Sequence, residues 1–219
     1  MQAPLLRALL AEAIGTFALV FTGCGAIMVD AKTHQLGHVG VALTFGLVIA
    51  AMIYATGHVS GAHFNAAVTF AFALTRHFPW PRVFAYWAAQ LVGAVAAAAV
   101  LRGSLGNVAS IGATLPSGSQ GQAFLFEVIL SAFLMFVVLA VATDTRAVGE
   151  AAALAVGATI AFDALFGGPV TGASMNPIRS LGPAIVSGNF HALWLYILAP
   201  VVGTSLGGLA YQVIRGEHR

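Results

Sequence analysis

What most constrains this chain is a doubled pattern: three membrane-length apolar segments with one short apolar run among them, and then the same again. Crossing a bilayer as a helix takes roughly 20 mainly apolar residues. Segments at 5–29, 39–56 and 83–101, then at 123–142, 151–166 and 193–214, meet that need or come close. Two further runs, 66–74 and 178–186, are too short and read as re-entrant pieces that enter the membrane and turn back. No segment alternates apolar with polar residues, and Ala, Leu and Gly dominate, so the spans are helices and not barrel strands. With 59% hydrophobic and 7% charged residues, this is not a soluble domain, where about 25% charged is usual. The first segment has no small-residue cleavage site, so it reads as a span and not a signal peptide.

The doubling is an internal repeat. Asn65 and Asn176 stand 111 residues apart (176 − 65), as do Gly46 and Gly157. Tyr86, Gln90 and Gly93 match Tyr196, Pro200 and Gly203 at an offset of 110 (196 − 86). Glu12, early in the first span, corresponds to Glu127, early in the fourth. Each repeat, about 5–102 and 123–214, holds three spans, and three is odd, so the second copy enters the membrane upside down. The expected fold is therefore an all-α membrane protein with six transmembrane helices and two re-entrant half-helices, an inverted 3+3 repeat forming one channel domain over 1–219. Inverted repeats with broken helices at the midplane build substrate sites in transport proteins. With both termini in the cytoplasm, that side holds Arg7, Arg76, Arg82, Arg146, Arg215 and Arg219, against Lys32, Arg102 and Arg179 outside. The positive-inside rule favours this orientation in a cell membrane.

Each short run follows a Gly-rich approach ending in Asn: Gly61-Ala62-His63-Phe64-Asn65 and Gly172-Ala173-Ser174-Met175-Asn176. Asn is a strong N-cap, its oxygen accepting a free N–H of the first helical turn. The amide NH2 is then turned away from the helix, free to donate into a lumen beside the positive end of the helix dipole. Two such ends meeting at mid-membrane would hold water or a polyol and repel cations, and a water oriented by both Asn residues could not relay a proton. The approaches cannot be helical up to the cap, so the carbonyls of Gly61, Ala62, His63, Phe64, Gly172, Ser174 and Met175 are expected to line the pore as acceptors.

Other classes find less support. A net charge of +2 without a Lys/Arg run gives nucleic acid no surface, and the lone Cys24 excludes an internal disulfide. The histidines are dispersed, with no nucleophile–base pair and no metal-ligand spacing, so neither an enzyme nor a cofactor or metal site is expected. Glu12 and Glu127 are acids within spans, which by themselves suggest a proton or ion pathway and a proton-coupled secondary transporter. Such a transporter predicts saturable flux, whereas a channel predicts flux linear in the gradient. Asp163, near the end of the fifth segment, reads either as a solvated helix-end carboxylate or as a partner for a base at the outer mouth.

Over nearly its whole length the chain resembles the aquaporin (major intrinsic protein) family. The matching features are Glu12-x2-Gly15-Thr16-Phe17, then Ser60-Gly61-x-His63-Phe64-Asn65-x-Ala67-Val68-Thr69, then Gly172-Ala173-Ser174-Met175-Asn176-Pro177-x-Arg179-Ser180-x-Gly182-Pro183. The wording is most like the nodulin-26-like branch and its bacterial relatives. The resemblance implies a homotetramer with a pore in each subunit, and that Glu12 and Glu127 brace the loops before each Asn. The family's Asn-Pro-Ala becomes Asn65-Ala66-Ala67 and Asn176-Pro177-Ile178 here. Ala66 restores an N–H where Pro would be preorganised, and Ile178 is bulky where Ala lets the half-helices touch. Their effect on pore width is left open.

The resemblance also carries a four-residue constriction onto Phe45, Ala164, Ala173 and Arg179. Ala164 stands where water-selective members look to have His, which removes a donor and widens the opening. Ser180 and Ala184, in contrast, look like water channels and nodulin-like members. The implied function is passive passage of water and small uncharged solutes such as glycerol, urea, ammonia or metalloid hydroxides, without ions or protons. The alternative is a strictly water-selective channel.

Overall fold

The computed structural model describes residues 4–144 and 151–216; Arg146 and Arg219, used above for orientation, lie outside the described residues. Among the described residues six helices are long and apolar enough to cross a membrane: α1 (Leu5–Thr33), α2 (Gly37–Ser60), α4 (Trp80–Leu105), α5 (Gln120–Thr143), α6 (Ala152–Thr171) and α8 (Leu193–Arg215). Two short helices, α3 (Ala66–Leu74) and α7 (Pro177–Ser187), stand where the short apolar runs lie. The described residues contain no strand.

Polarity is arranged for lipid. Leu10, Leu47, Phe84, Val92, Phe133, Phe166, Leu198 and Val213 are exposed, while Glu12, Gln90, Glu127 and Thr204 are wholly buried. A bilayer supplies no water to satisfy polar groups, so they turn inward and pair. Within the first half α1 packs on α2 and α4; within the second, α5 packs on α6 and α8. Each half-helix leans on the opposite half, α3 on α8 and α7 on α4, and α2 meets α6 across the molecule. Thr204 Oγ1 donates to the Ala67 carbonyl at 3.1 Å, tying α8 to α3. Repeat-related glycines let the helices close: a Cβ at Gly93 would lie 2.2 Å from the Ala13 carbonyl, and one at Gly203 2.2 Å from that of Val128.

Two expectations change. α6 runs on to Thr171, five residues past the sequence boundary, so Asp163 is neither at a helix end nor solvated. It is 1% exposed, and its Oδ2 has no hydrogen-bond partner. The Gly/Ser-rich connection after α4 is also more than a polar linker. Ala109, Ser110, Ile111 and Gly112 form a left-handed turn (φ 46°, 48°, 57° and 68°), and Ile111 is fully buried. The turn folds against α1 and α7.

Candidate functional site

The half-helices begin where the asparagines cap them. Asn65 Oδ1 accepts from the backbone N–H of Ala67 (2.8 Å) and Val68 (3.3 Å), and Asn176 Oδ1 from Ile178 (3.0 Å) and Arg179 (3.3 Å). The amide NH2 groups are not wholly free, which corrects the sequence expectation. Asn65 Nδ2 donates to the Met175 carbonyl and Asn176 Nδ2 to the Phe64 carbonyl, both at 2.8 Å. Each amide carries two donor hydrogens, so one locks the opposite loop and one is left at a side chain lining the central cavity.

The approach loops share one backbone pattern. Gly61 and Gly172 end their helices at φ 87° and 82°; Ala62 and Phe64 take 50° and 47°, Ala173 and Met175 take 42° and 52°. Left-handed backbone costs a non-glycine residue roughly 1–2 kcal/mol. Buried carboxylates offset it. Glu12 accepts from the N–H of His63 (2.9 Å) and Phe64 (2.7 Å), from Ser60 Oγ (2.7 Å) and from Gln90 Nε2 (2.8 Å). Glu127 accepts from the N–H of Ser174 and Met175 (both 2.8 Å) and from Thr171 Oγ1 (2.7 Å). Tyr86 and Tyr196 hydroxyls donate to the Ser60 and Thr171 carbonyls at 2.8 and 2.6 Å. The carboxylates hold the loop N–H groups, while the Phe64 and Met175 carbonyls accept from the asparagine of the opposite loop.

That cavity, of about 100 Å³, has room for a short file of waters. Gly61, Ala62, His63, Phe64, Ser174 and Met175 of the two loops line it with both asparagines, together with apolar helix residues such as Leu19, Ile49, Leu134 and Val156. Gly172, expected to line it, does not: it sits against Thr114, whose Cα would be 3.3 Å from an added Cβ. Ala66 and Ile178 are also off the lining and pack together in a buried apolar cluster with Val20, Cys24 and Ala94. The bulk of Ile178 is therefore absorbed by packing behind the pore.

Phe45, Ala164, Ala173 and Arg179 all line this cavity. Arg179, 1% exposed, lies over the Phe45 ring, 5.1 Å from its centroid, and donates from Nη1 to the Gly112 carbonyl at 2.8 Å. Its Nε and Nη2 have no partner. The Phe45 ring is seated against Gly23, where an added Cβ would come within 2.2 Å. Sequence reasoning missed the Gly112 carbonyl, because a main-chain acceptor has no side-chain signature. It also missed a hydroxyl chain from Thr114 to Ser180 (2.7 Å) and on to Ser174 (2.6 Å) that ties the connection between α4 and α5 to the second motif. His63 packs locally, its Nδ1 3.1 Å from Thr69 Oγ1 and its ring among Phe72, Phe78 and Tyr86. Among the described residues no cluster of three His, Cys, Asp or Glu side chains suits a metal ion. A second cavity of about 420 Å³ opens behind the first loop, bordered by His58, His63, His77, Arg82 and Tyr86.

Six spans around a mostly apolar cavity with polar groups from both loops, and two capped half-helices meeting inside it, define a passive membrane channel for water and small solutes. The chain belongs to the major intrinsic protein family, whose model it matches over residues 1–211. It is 50% identical over 214 residues to aquaporin NIP1-1 of Oryza sativa subsp. japonica, covering 97% of this chain and 75% of that one. It is 49% identical over 214 residues to nodulin-26 of Glycine max, covering 97% and 79%. The fold superposes on the X-ray structure of the aquaglyceroporin from Plasmodium falciparum with a TM-score of 0.84 at 28% identity, covering 95% of this chain and 96% of that one.

Proposed function

We propose that the channel admits small uncharged solutes (glycerol, urea, ammonia or metalloid hydroxides) together with water, and excludes ions and protons. The observation that carries this is the make-up of the wall around Arg179. Ala164 and Ala173 give methyl groups where a larger side chain would narrow the passage, and Phe45 supplies an apolar face for carbon-bound hydrogens. Arg179 lines the cavity with two nitrogens that no protein group occupies, and its charge repels cations. Asn65 and Asn176 orient the passing oxygen and interrupt proton relay. The constriction selects the solute; the asparagines set its orientation.

In this reading Glu12 and Glu127 brace the loops and carry no protons, since each is fully buried and engaged by at least three donors. Flux is then linear in the gradient and independent of a proton gradient, without chemistry on the solute, cofactor or nucleic acid. The working unit is a homotetramer in the cell membrane with both termini cytoplasmic. Each subunit is one domain built from repeats at about 5–102 and 123–214.

Stopped-flow swelling of proteoliposomes under water, glycerol and urea gradients tests the reading. Wild type is expected to pass water and at least one of the solutes. Ala164→His is expected to cut solute flux about tenfold or more while water flux falls far less, as unfavourable fit of order 1–3 kcal/mol implies. Wild type passing water alone would instead establish a strictly water-selective channel.

A further inference from the structure

We infer that His38, outside every motif discussed so far, is a positioning residue for the constriction. This rests on the channel reading above. Pro169 lies inside α6 and has no N–H, so the carbonyl of Leu165, four residues earlier, loses its helical donor. His38, at the start of α2, supplies the replacement: its Nε2 lies 2.8 Å from that carbonyl oxygen. Either charge state of the imidazole can carry a donor hydrogen there. The ring fits because residue 168 is glycine; an added Cβ would lie 2.7 Å from His38 Cε1.

The bond joins the two helices that bear facing parts of the constriction. Leu165 follows Ala164 directly, and Phe45 lies seven residues, or two turns, after His38 on α2. α2 and α6 touch again at Gly46 and Gly157, where an added Cβ at 46 would come within 2.4 Å of the Gly157 carbonyl. From Gly46 back to His38 is eight residues, and from Gly157 on to Leu165 is also eight, so both contacts belong to one antiparallel register. The glycine contact fixes the helices toward the middle of the membrane; the imidazole fixes the outer end of α6. The other ties on that end lead elsewhere than to α2: Ser117 N–H and Oγ donate to the Val170 carbonyl (both 3.0 Å), the Tyr196 hydroxyl donates to the Thr171 carbonyl, and Thr171 Oγ1 donates to Glu127. Without His38 the Ala164 end of α6 loses its hydrogen bond to α2, the glycine contact alone sets the register, and the wall opens.

The test is a double-mutant cycle in proteoliposomes, reading the ratio of glycerol to water permeability beside thermal unfolding. His38→Leu is expected to raise the ratio about threefold, the order of one lost hydrogen bond. His38→Gln, which places a donor at similar reach, is expected to stay near wild type. Pro169→Ala returns an N–H to the Leu165 carbonyl, so His38→Leu made in that background is expected to move the ratio much less. Partial misfolding lowers both fluxes together and leaves the ratio alone; an unchanged ratio in His38→Leu overturns the proposal. So does an equal rise in the Pro169→Ala background. If wild type passed neither water nor glycerol, the channel reading would fall instead. The thermal-unfolding cycle would still decide the contact: equal destabilisation by His38→Leu with and without Pro169 would refute it.

Discussion

The two approach loops have the same backbone and different supports. Before Asn65, Glu12 is held by its own half through Ser60, two backbone N–H groups and Gln90, and His63 sits in an aromatic box. Before Asn176, the residue matching Gln90 is Pro200, which has nothing to donate, and Glu127 keeps three donors. Support there comes from the connection between α4 and α5, through Thr114, Ser180 and Ser174 and through Gly112 on Arg179. The comparison teaches that the repeat fixes the centre of the pore, while each mouth is finished by residues from outside the repeat's pattern.

The largest test removes the braces. Glu12→Ala and Glu127→Ala each strand buried N–H groups that make charge-assisted bonds worth roughly 1.5–3 kcal/mol apiece. Total stability of a fold is only about 5–15 kcal/mol, so little monodisperse protein is expected from either variant by size-exclusion chromatography in detergent. Glu12→Ala, which strands four donors, should be the worse. If Glu127→Ala fails while Glu12→Ala folds and conducts, the asymmetry runs opposite to the one described.

Next, Asn65→Ala and Asn176→Ala should each lower stability by about 1–2 kcal/mol through the lost cap. Because the cap and cross-loop geometries match, the two losses should agree within about 0.5 kcal/mol in chemical or thermal unfolding. A wider gap would show that the mouths reach into the centre.

A smaller effect separates the supports. Gln90→Leu acts on the first loop and Thr114→Val on the second, each costing about 1 kcal/mol. They share no hydrogen-bond partner, so the double variant should show additive losses. Coupling between them would make the two supports one network.

The smallest effect is a pH dependence at the turn between α3 and α4. Partial burial, with the nearby Arg215 charge, holds the His77 imidazole below its usual pKa. Above about pH 6.5 folded and unfolded forms are both neutral. As pH falls below that value the unfolded chain takes up the proton first, so stability declines. His77→Asn should flatten the slope of melting temperature between pH 7 and 5, and an unchanged slope would assign the acid sensitivity elsewhere.

Much of this was legible in the chain. Hydrophobic length marks the spans, Asn65 and Asn176 mark the caps, and the 111-residue offset announces the inverted repeat. Even the short runs at 66–74 and 178–186 fall within a residue of α3 and α7. Less legible were Asp163, whose helix runs a further turn through Gly-Gly-Pro, and Gly172, which sits against Thr114. The connection between α4 and α5 was opaque. Its contribution is a carbonyl at Gly112 and a hydroxyl at Thr114, groups common to many residues and informative only by position.

By itself, then, the sequence determines how many times the chain crosses, where it breaks, and which side chains cap the breaks. These follow from local hydrophobicity and from hydrogen bonds between near neighbours. Tertiary structure alone decides that each asparagine reaches the opposite loop, that Arg179 is held by a carbonyl 67 residues away, and that His38 closes a gap left by Pro169. Main-chain donors and acceptors are the same at almost every residue, so which of them meet is set by how the helices pack and not by the letters of the chain.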